Sequence, residues 1–234
     1  MPSRLYCIAF IKSIHPILGS LIAFLRRTTA RPRAFLRTEL AIRRLKRDIA
    51  ANPSPQIVVG SSGIFTPGWI PTDIDYLNLL HPPDWQRFFV PGTVGAILAE
   101  HVWEHLTPAE GATAANICFT YLRPGGRLRI AVPDGFNPDP GYREWVRPGG
   151  TGPGADDHKA FYTHESLARL LAESGFRVEL LEYFDAAGKF HFTDWEPTDG
   201  MIHRSRRFDE RNREGRLGYT SLIVDAHKPG GPHD

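Results

Sequence analysis

The chain has 234 residues, of which 41% are hydrophobic and 23% charged, and its formal net charge is +2. This length allows one domain with a substantial core and an extension. The composition is that of an ordinary globular protein, which excludes a chain that is disordered or fibrous as a whole. The two cysteines, Cys7 and Cys118, lie far apart, so neither a disulfide framework nor a cysteine-based zinc site is indicated. This cysteine usage fits a cytoplasmic location.

Residues 1–52 are predicted to form a helical, basic N-terminal segment. Residues 5–25 are largely apolar, but a spanning helix of about 20 residues would have to place Lys12 and His15 inside the bilayer. The pattern therefore favours a helix that packs on the domain or on a partner. Peripheral membrane contact through residues 5–47 is an alternative, because an apolar helix followed by basic residues suits an anionic membrane surface. A true membrane span is a further alternative. The basic residues are Arg26, Arg27, Arg31, Arg33, Arg37, Arg43, Arg44, Lys46 and Arg47.

A second domain is predicted over residues 53–234, after the sequence Asn-Pro-Ser-Pro that ends the N-terminal helix. Apolar runs that stop at turn residues predict strands over 56–59, 69–74, 94–99, 127–133, 177–184 and 219–226. Apolar residues at helical spacing predict helices over 108–122 and 163–174, and Thr163 is the predicted N-terminal cap of the second. This order predicts an α/β, Rossmann-like, doubly wound and mostly parallel sheet. The last two strands lack a long helix between them, which favours an antiparallel edge strand.

Ligands of open α/β sheets bind at the carboxyl ends of the strands, where two short loops stand out. The first loop is Gly60-Ser61-Ser62-Gly63, whose glycines allow a backbone to approach a ligand closely, although a plain tight turn is an alternative. The second contains Asp73 and Ile74, and a carboxylate at that place can accept the hydroxyls of a ribose. A simple surface acid is the alternative for Asp73.

A third loop, residues 99–106, contains the sequence Glu-His-Val-Trp-Glu-His. On a helix, His101 and His105 would share one face. The spacing also matches an inverted zinc-protease motif, which would require a third ligand. A zinc hydrolase that uses His101 and His105 is therefore a minor alternative, and the favoured interpretation includes no metal.

Four motifs in this order resemble the class I S-adenosylmethionine-dependent methyltransferases, in particular the short methyltransferases of type 11. They are the glycine loop, the run Pro67-Gly68-Trp69 to Asp73, the segment Glu100 to Leu106, and the run Leu122 to Leu128 with its Pro-Gly-Gly turn. The resemblance covers residues 56–228. It implies that Gly60, Ser61, Ser62 and Gly63 hold the methionine part of S-adenosylmethionine, that Asp73 and Ile74 meet its ribose, and that Glu100 lies beside it.

The resemblance implies a methyltransferase whose acceptor is a small molecule or a glycan. A histidine suits the removal of a proton from such an acceptor, so His101 and His158 are the predicted bases, with Asp134 at the same edge of the sheet. The insert 185–218 joins aromatic and charged residues, which suits an acidic or sugar acceptor or a homo-oligomer contact. No nucleic-acid partner is expected, since nothing resembles a base-reading module. A non-catalytic binding protein of the same fold is the main alternative.

Overall fold

The structure, a computed structural model, describes residues 38–62, 66–212 and 216–230. Helix α1 covers residues 38–50. In this part of the chain, no helix is both long and apolar enough to cross a membrane. The predictions made for residues 1–37 fall outside the described residues. A compact unit begins at Leu45, and the domain boundary near residue 52 stays a prediction.

Among the described residues, seven strands form one mixed sheet. They are β1 (Gln56–Val58), β2 (Ile70–Pro71), β3 (Val94–Glu100), β4 (Leu122–Val132), β5 (Arg177–Phe184), β6 (Phe190–Phe192) and β7 (Leu222–His227). Their order is β2-β1-β3-β4-β7-β5-β6. The pairs β1–β2, β1–β3 and β3–β4 are parallel, and the pairs β4–β7, β5–β7 and β5–β6 are antiparallel. Strands β1 to β5 therefore share one direction, and the predicted Rossmann-like, mostly parallel sheet with an antiparallel edge strand is confirmed.

The antiparallel edge is formed by a strand that the sequence did not indicate. Strand β7 pairs with β5 as expected, but it lies inside the sheet, between β4 and β5. Its residues Leu222 to Ala226 are all buried, as expected for a strand covered on both faces. The short strand β6 occupies the edge instead, and its Phe192 is exposed.

Helices α3 (Pro108–Tyr121) and α5 (His164–Glu173) pack against the sheet. Two shorter helices among the described residues are α2 (Pro82–Phe88) and α4 (Pro140–Val146). Thr163 caps α5 as predicted by accepting a hydrogen bond from the Ser166 amide, and Thr107 caps α3 in the same way. Helix α5 contacts strands β5 and β7. It also contacts α3, so α3 and α5 pack side by side.

The insert between β5 and β7 supplies much of the remaining core. Trp195 and Ile202 of the insert are buried against Leu98 of β3, Ala131 of β4 and Ile223 of β7. The contribution of the insert to the core could not be predicted from its sequence, because most of its residues are polar. The insert is therefore part of the folded domain, and its position over the ends of the strands brings it to the site described below.

A buried carboxylate, Glu182 of β5, holds the insert in place. It lies where the register between β5 and β7 shifts, and it is 2% exposed. Its Oε1 accepts a hydrogen bond from the Trp195 indole at 3.1 Å, and its Oε2 accepts bonds from the Arg206 amide at 2.7 Å and the Thr220 hydroxyl at 2.6 Å. All three donors belong to the insert or to the segment that leads into β7.

Replacing Glu182 with glutamine is expected to lower the free energy of unfolding by about 1–3 kcal/mol, since the new amide group faces donors on at least one side. Urea unfolding measures the change. Glu179→Gln, an exposed change on the same strand, is the matched control and should have little effect. Equal midpoints for the two variants would show that the buried carboxylate does not stabilise the insert.

Candidate functional site

A cavity of about 520 Å³ opens at the carboxyl ends of three parallel strands. Val58 at the end of β1, Glu100 at the end of β3 and Pro133 just after β4 all line it. This is the edge of the sheet at which ligands bind in open α/β folds, and it is the edge that the sequence analysis indicated.

The glycine loop forms one wall of this cavity, with Gly60, Ser61 and Ser62 among the lining residues. Gly60 has a φ of 62°, and a Cβ atom at this position would lie 2.8 Å from Cγ2 of Val102. Both features require glycine. Ser62 also has a positive φ, 46°. The predicted fourth member of the loop, Gly63, lies outside the described residues.

Asp73 and Ile74 lie beside the glycine loop without lining the cavity. The amide of Ser61 donates to the carbonyl of Thr72 at 3.0 Å, which places Asp73 one residue away from the loop. The Asp73 carboxylate accepts a hydrogen bond from the Ile74 amide at 2.8 Å, and Ile74 is exposed. Their predicted contact with a ribose stays a prediction.

Glu100 ties the insert to the end of β3. Its Oε1 accepts a hydrogen bond from the Arg204 amide at 2.7 Å, and its Oε2 accepts one from the His203 amide at 3.1 Å. Residues of the insert and of the segment just after it line the wall of the cavity, namely His203, Arg204, Arg211 and Tyr219. The insert was predicted to suit an acidic or sugar acceptor, but no pattern indicated that Glu100 would hold it.

His101 is bound on both sides by the protein. Its Nε2 lies 3.0 Å from the Ser221 hydroxyl, which itself donates to the carbonyl of Arg204 at 2.8 Å and so must accept from the histidine. Its Nδ1 lies 2.7 Å from Oε1 of Glu104. Both ring nitrogens of His101 therefore face groups of the protein itself. The predicted general base would need one nitrogen that faces an acceptor.

His101 and His105 do not come together as a pair of metal ligands, so the predicted zinc site built on these two histidines is wrong. Residues 101–102 are not helical, His101 has a φ of 55°, and only the short 3-10 turn Trp103–His105 follows. The two histidines therefore do not share a helix face. His101 points its nitrogens at Glu104 and Ser221, whereas His105 points Nδ1 at Asp157, 3.1 Å away.

Glu104, between these histidines, is a buried acid that lines the cavity and is 1% exposed. Burial works to raise the pKa of this carboxyl group, but the charge and contact of His101 outweigh it and hold the pKa below its usual value. Glu104 is therefore an anion at neutral pH. The residue type gives no signal for this burial, since a glutamate is almost never fully buried unless it is paired.

His158 lies next to His105 in the wall of the cavity, with the two rings edge to face and their centroids 4.9 Å apart. Its Nδ1 donates to the carbonyl of Val146 at 2.7 Å. The Nδ1 of His105 faces the Asp157 carboxylate, so in the neutral form of either ring the lone pair lies on Nε2. The structure thus brings the predicted His158 into the site and adds His105 as its partner.

Asp134 is not part of the cavity wall, in contrast to the predicted catalytic role. Its side chain is fully buried, and its two oxygens accept hydrogen bonds from the amides of Phe136 at 2.9 Å and Phe184 at 2.7 Å. Burial raises the pKa of this carboxyl group, against the effect of these bonds. Asp134 therefore joins the end of β4 to the end of β5, which is a structural role.

Comparison with known proteins gives similarity at the level of solved structures. Neither a protein-family model nor a curated protein sequence matches the chain. A SAM-dependent methyltransferase from Archaeoglobus fulgidus is 15% identical with a TM-score of 0.44, over 81% of this chain and 94% of that protein. One from Thermotoga maritima is 12% identical with a TM-score of 0.44, over 87% and 96%. The 1,6-didemethyltoxoflavin-N1-methyltransferase from Burkholderia thailandensis is 16% identical with a TM-score of 0.40, over 92% and 90%. A likeness of this degree concerns the fold alone.

Proposed function

We propose that this chain is an S-adenosylmethionine-dependent methyltransferase whose acceptor is a small molecule or a glycan. The observation that carries the proposal is the cavity of about 520 Å³ at the carboxyl edge of the sheet, with the glycine loop on one wall and paired histidines on another. This size is typical of sites for small molecules. The order of the sequence motifs, which resemble those of class I methyltransferases, supports the same proposal.

The residues present fit the proposed cofactor. At Gly60 the loop packs so closely against Val102 that a side chain would not fit, and Gly60, Ser61 and Ser62 all line the cavity. Gly60, Ser61 and Ser62 would hold the amino-acid part of the cofactor, and the Asp73 carboxylate next to the loop would accept its ribose hydroxyls. When bound, S-adenosylmethionine supplies a methyl group on a positively charged sulfur, which an acceptor atom displaces in line, and S-adenosylhomocysteine is released.

The opposite wall would bind and deprotonate the acceptor. The Nε2 atoms of His105 and His158 have lone pairs and can accept the proton that an acceptor hydroxyl or amine loses. The exposed Arg204 side chain, on a backbone held by Glu100, would contact an acidic or hydroxyl-rich acceptor. The insert that carries it would exclude water from the acceptor.

The test is calorimetric titration of the purified full chain with S-adenosylmethionine and S-adenosylhomocysteine. Saturable binding of both is expected. Asp73→Ala removes a charged acceptor of hydrogen bonds and should weaken binding about tenfold to a hundredfold. Asp75→Ala removes an exposed carboxylate two residues further on and is the matched control, with unchanged affinity.

A folded wild-type chain that binds neither compound at millimolar concentration would contradict the proposal. Equal affinity in Asp73→Ala and Asp75→Ala would instead place the ribose contact elsewhere. Binding without transfer to any of a panel of hydroxyl and amine acceptors would favour the non-catalytic binding protein.

A further inference from the structure

We infer that Glu104, His105 and His158 form a binding site for a divalent transition-metal ion, for which Zn²⁺ is the best match. One ring nitrogen of each histidine and one carboxylate oxygen of Glu104 all lie within 4.8 Å of one another. All three side chains line the same cavity. Two imidazoles and one carboxylate make up a donor set typical of catalytic zinc sites with an open position.

The hydrogen bonds of the two histidines prepare them as ligands. The carbonyl of Val146 accepts from Nδ1 of His158, and the carboxylate of Asp157 accepts from Nδ1 of His105. Metal-bound histidines almost always donate their second nitrogen to such a carbonyl or carboxylate, which fixes the ring and leaves Nε2 for the metal. Here both histidines show this arrangement at the same time.

Glu104 is a buried anion that lacks sufficient hydrogen bonds. Its Oε1 lies 2.7 Å from Nδ1 of His101, but among the described residues neither of its oxygens accepts a well-aligned hydrogen bond. The contact with His101 compensates part of the charge of this carboxylate, which is 1% exposed, and Oε2 has no hydrogen-bond partner among the described residues, so a bound cation would stabilise it further. His101, on the far side, would then orient the ligating carboxylate.

The backbone holds the three ligands at nearly the required separation. The carbonyl of Glu104 accepts hydrogen bonds from the amides of Lys159 at 2.7 Å and Ala160 at 3.1 Å, so the turn with Glu104 and His105 is bound to the segment after His158. Tetrahedral bonds of about 2.1 Å place ligand atoms about 3.4 Å apart. Since these atoms lie within 4.8 Å of one another, each separation has to close by at most about 1.4 Å, a change on the scale of a side-chain rotation.

The donor set also indicates which ions are excluded. Mg²⁺ and Ca²⁺ prefer sites made of oxygen ligands, whereas imidazole favours Zn²⁺ and its neighbours. Three protein ligands leave a position that faces the cavity. An acceptor oxygen bound there would be more acidic, and the ion would replace a histidine as the group that promotes loss of its proton. This use of the ion rests on the proposed function, but the site itself does not.

The experiment is a titration of the metal-depleted full chain with Zn²⁺, followed by calorimetry and by a rise in the melting temperature. We expect one Zn²⁺ per chain. Glu104→Gln, His105→Gln and His158→Gln should each lower the affinity at least a hundredfold, and Asp157→Asn, which changes only the support of His105, about tenfold to a hundredfold. His203→Gln is the matched control because it changes another histidine of the cavity wall, and it should bind as the wild type does.

X-ray absorption of the zinc-loaded chain gives a second measurement that does not depend on the stability of the variants. It should show two imidazole nitrogens and one or more oxygens at about 2.0–2.2 Å. A folded wild-type chain without stoichiometric binding, or variants that bind as tightly as His203→Gln, would overturn the inference. Zinc binding without binding of S-adenosylmethionine would support the metal site and reject the methyltransferase, and the reverse result would do the opposite.

Discussion

Replacement of Asp225 with alanine is expected to lower the free energy of unfolding by about 3–5 kcal/mol. Asp225 of β7 lies directly opposite Arg129 of β4, and its two oxygens accept hydrogen bonds from Nε and from a terminal nitrogen of the guanidinium, each at 2.7 Å. The Arg129 side chain is 2% exposed. Without Asp225, its charge would be buried with only the carbonyl of Gly200 and the face of Trp195 as close partners among the described residues.

Asp199→Ala is the control for this experiment. Asp199 lies 3.3 Å from Arg127 in a partly exposed ion pair, and removal of such a pair changes stability by about 0–1 kcal/mol. Guanidinium unfolding of both variants measures the difference. If Asp225→Ala loses no more stability than Asp199→Ala, the buried pair does not contribute to the junction of β4, β7 and the insert. Loss in the expected range would show that the insert and the sheet depend on one electrostatic contact.

The regular part of this fold can be predicted from local patterns. The runs at 56–59 and 94–99 became β1 and β3 almost unchanged, and Thr163 caps its helix as expected, because burial and capping are properties of neighbouring residues. The Pro-Gly-Gly of residues 124–126 was predicted to interrupt the chain between helix and strand. In the structure β4 includes it, and the register with β3 moves from Leu122 directly to Arg127, so the turn forms an irregularity within the strand.

The position of the last strand depends on contacts that no local pattern contains. An apolar run such as 222–226 indicates burial, but either an edge or a central place in the sheet is compatible with its period. The pairing of Arg129 with Asp225 is one contact that fixes the central place. These residues are 96 positions apart in the sequence. The insert was unpredictable for the same reason, since Glu182 binds it through donors that lie far along the chain.

In the candidate site, too, the location can be predicted from the sequence, whereas the role of each residue cannot. The location of the glycine loop and of residues 99–106 at one edge follows from strand order, which the sequence indicates. The roles within that edge do not follow, because they depend on side-chain direction. His101 was predicted as a general base, and it lines the cavity, but its ring nitrogens face Ser221 and Glu104. His105 was predicted only as a partner of His101, yet it faces His158.

Gly60→Ala is expected to weaken the binding of S-adenosylhomocysteine at least tenfold and to lower the free energy of unfolding by roughly 2–5 kcal/mol. The left-handed backbone at φ 62° costs an alanine about 1–2 kcal/mol. The new Cβ would lie 2.8 Å from Val102, and such overpacking costs about 1–3 kcal/mol. Because the loop lines the cavity, a shift that relieves the contact also moves the atoms proposed to hold the cofactor.

Two further variants separate the strain from the contact. Gly92 also has a positive φ, 75°, but a Cβ there meets nothing within 4 Å, so Gly92→Ala measures the backbone strain alone and should not affect binding. Val102→Ala in the Gly60→Ala background removes the close contact and should restore that part of the stability, together with part of the affinity. Urea unfolding and calorimetry give the two quantities. Suppose that Gly60→Ala binds S-adenosylhomocysteine as the wild type does and is no less stable than Gly92→Ala. The glycine loop would then not contact the ligand. The cofactor would in that case have to enter from the side of the insert.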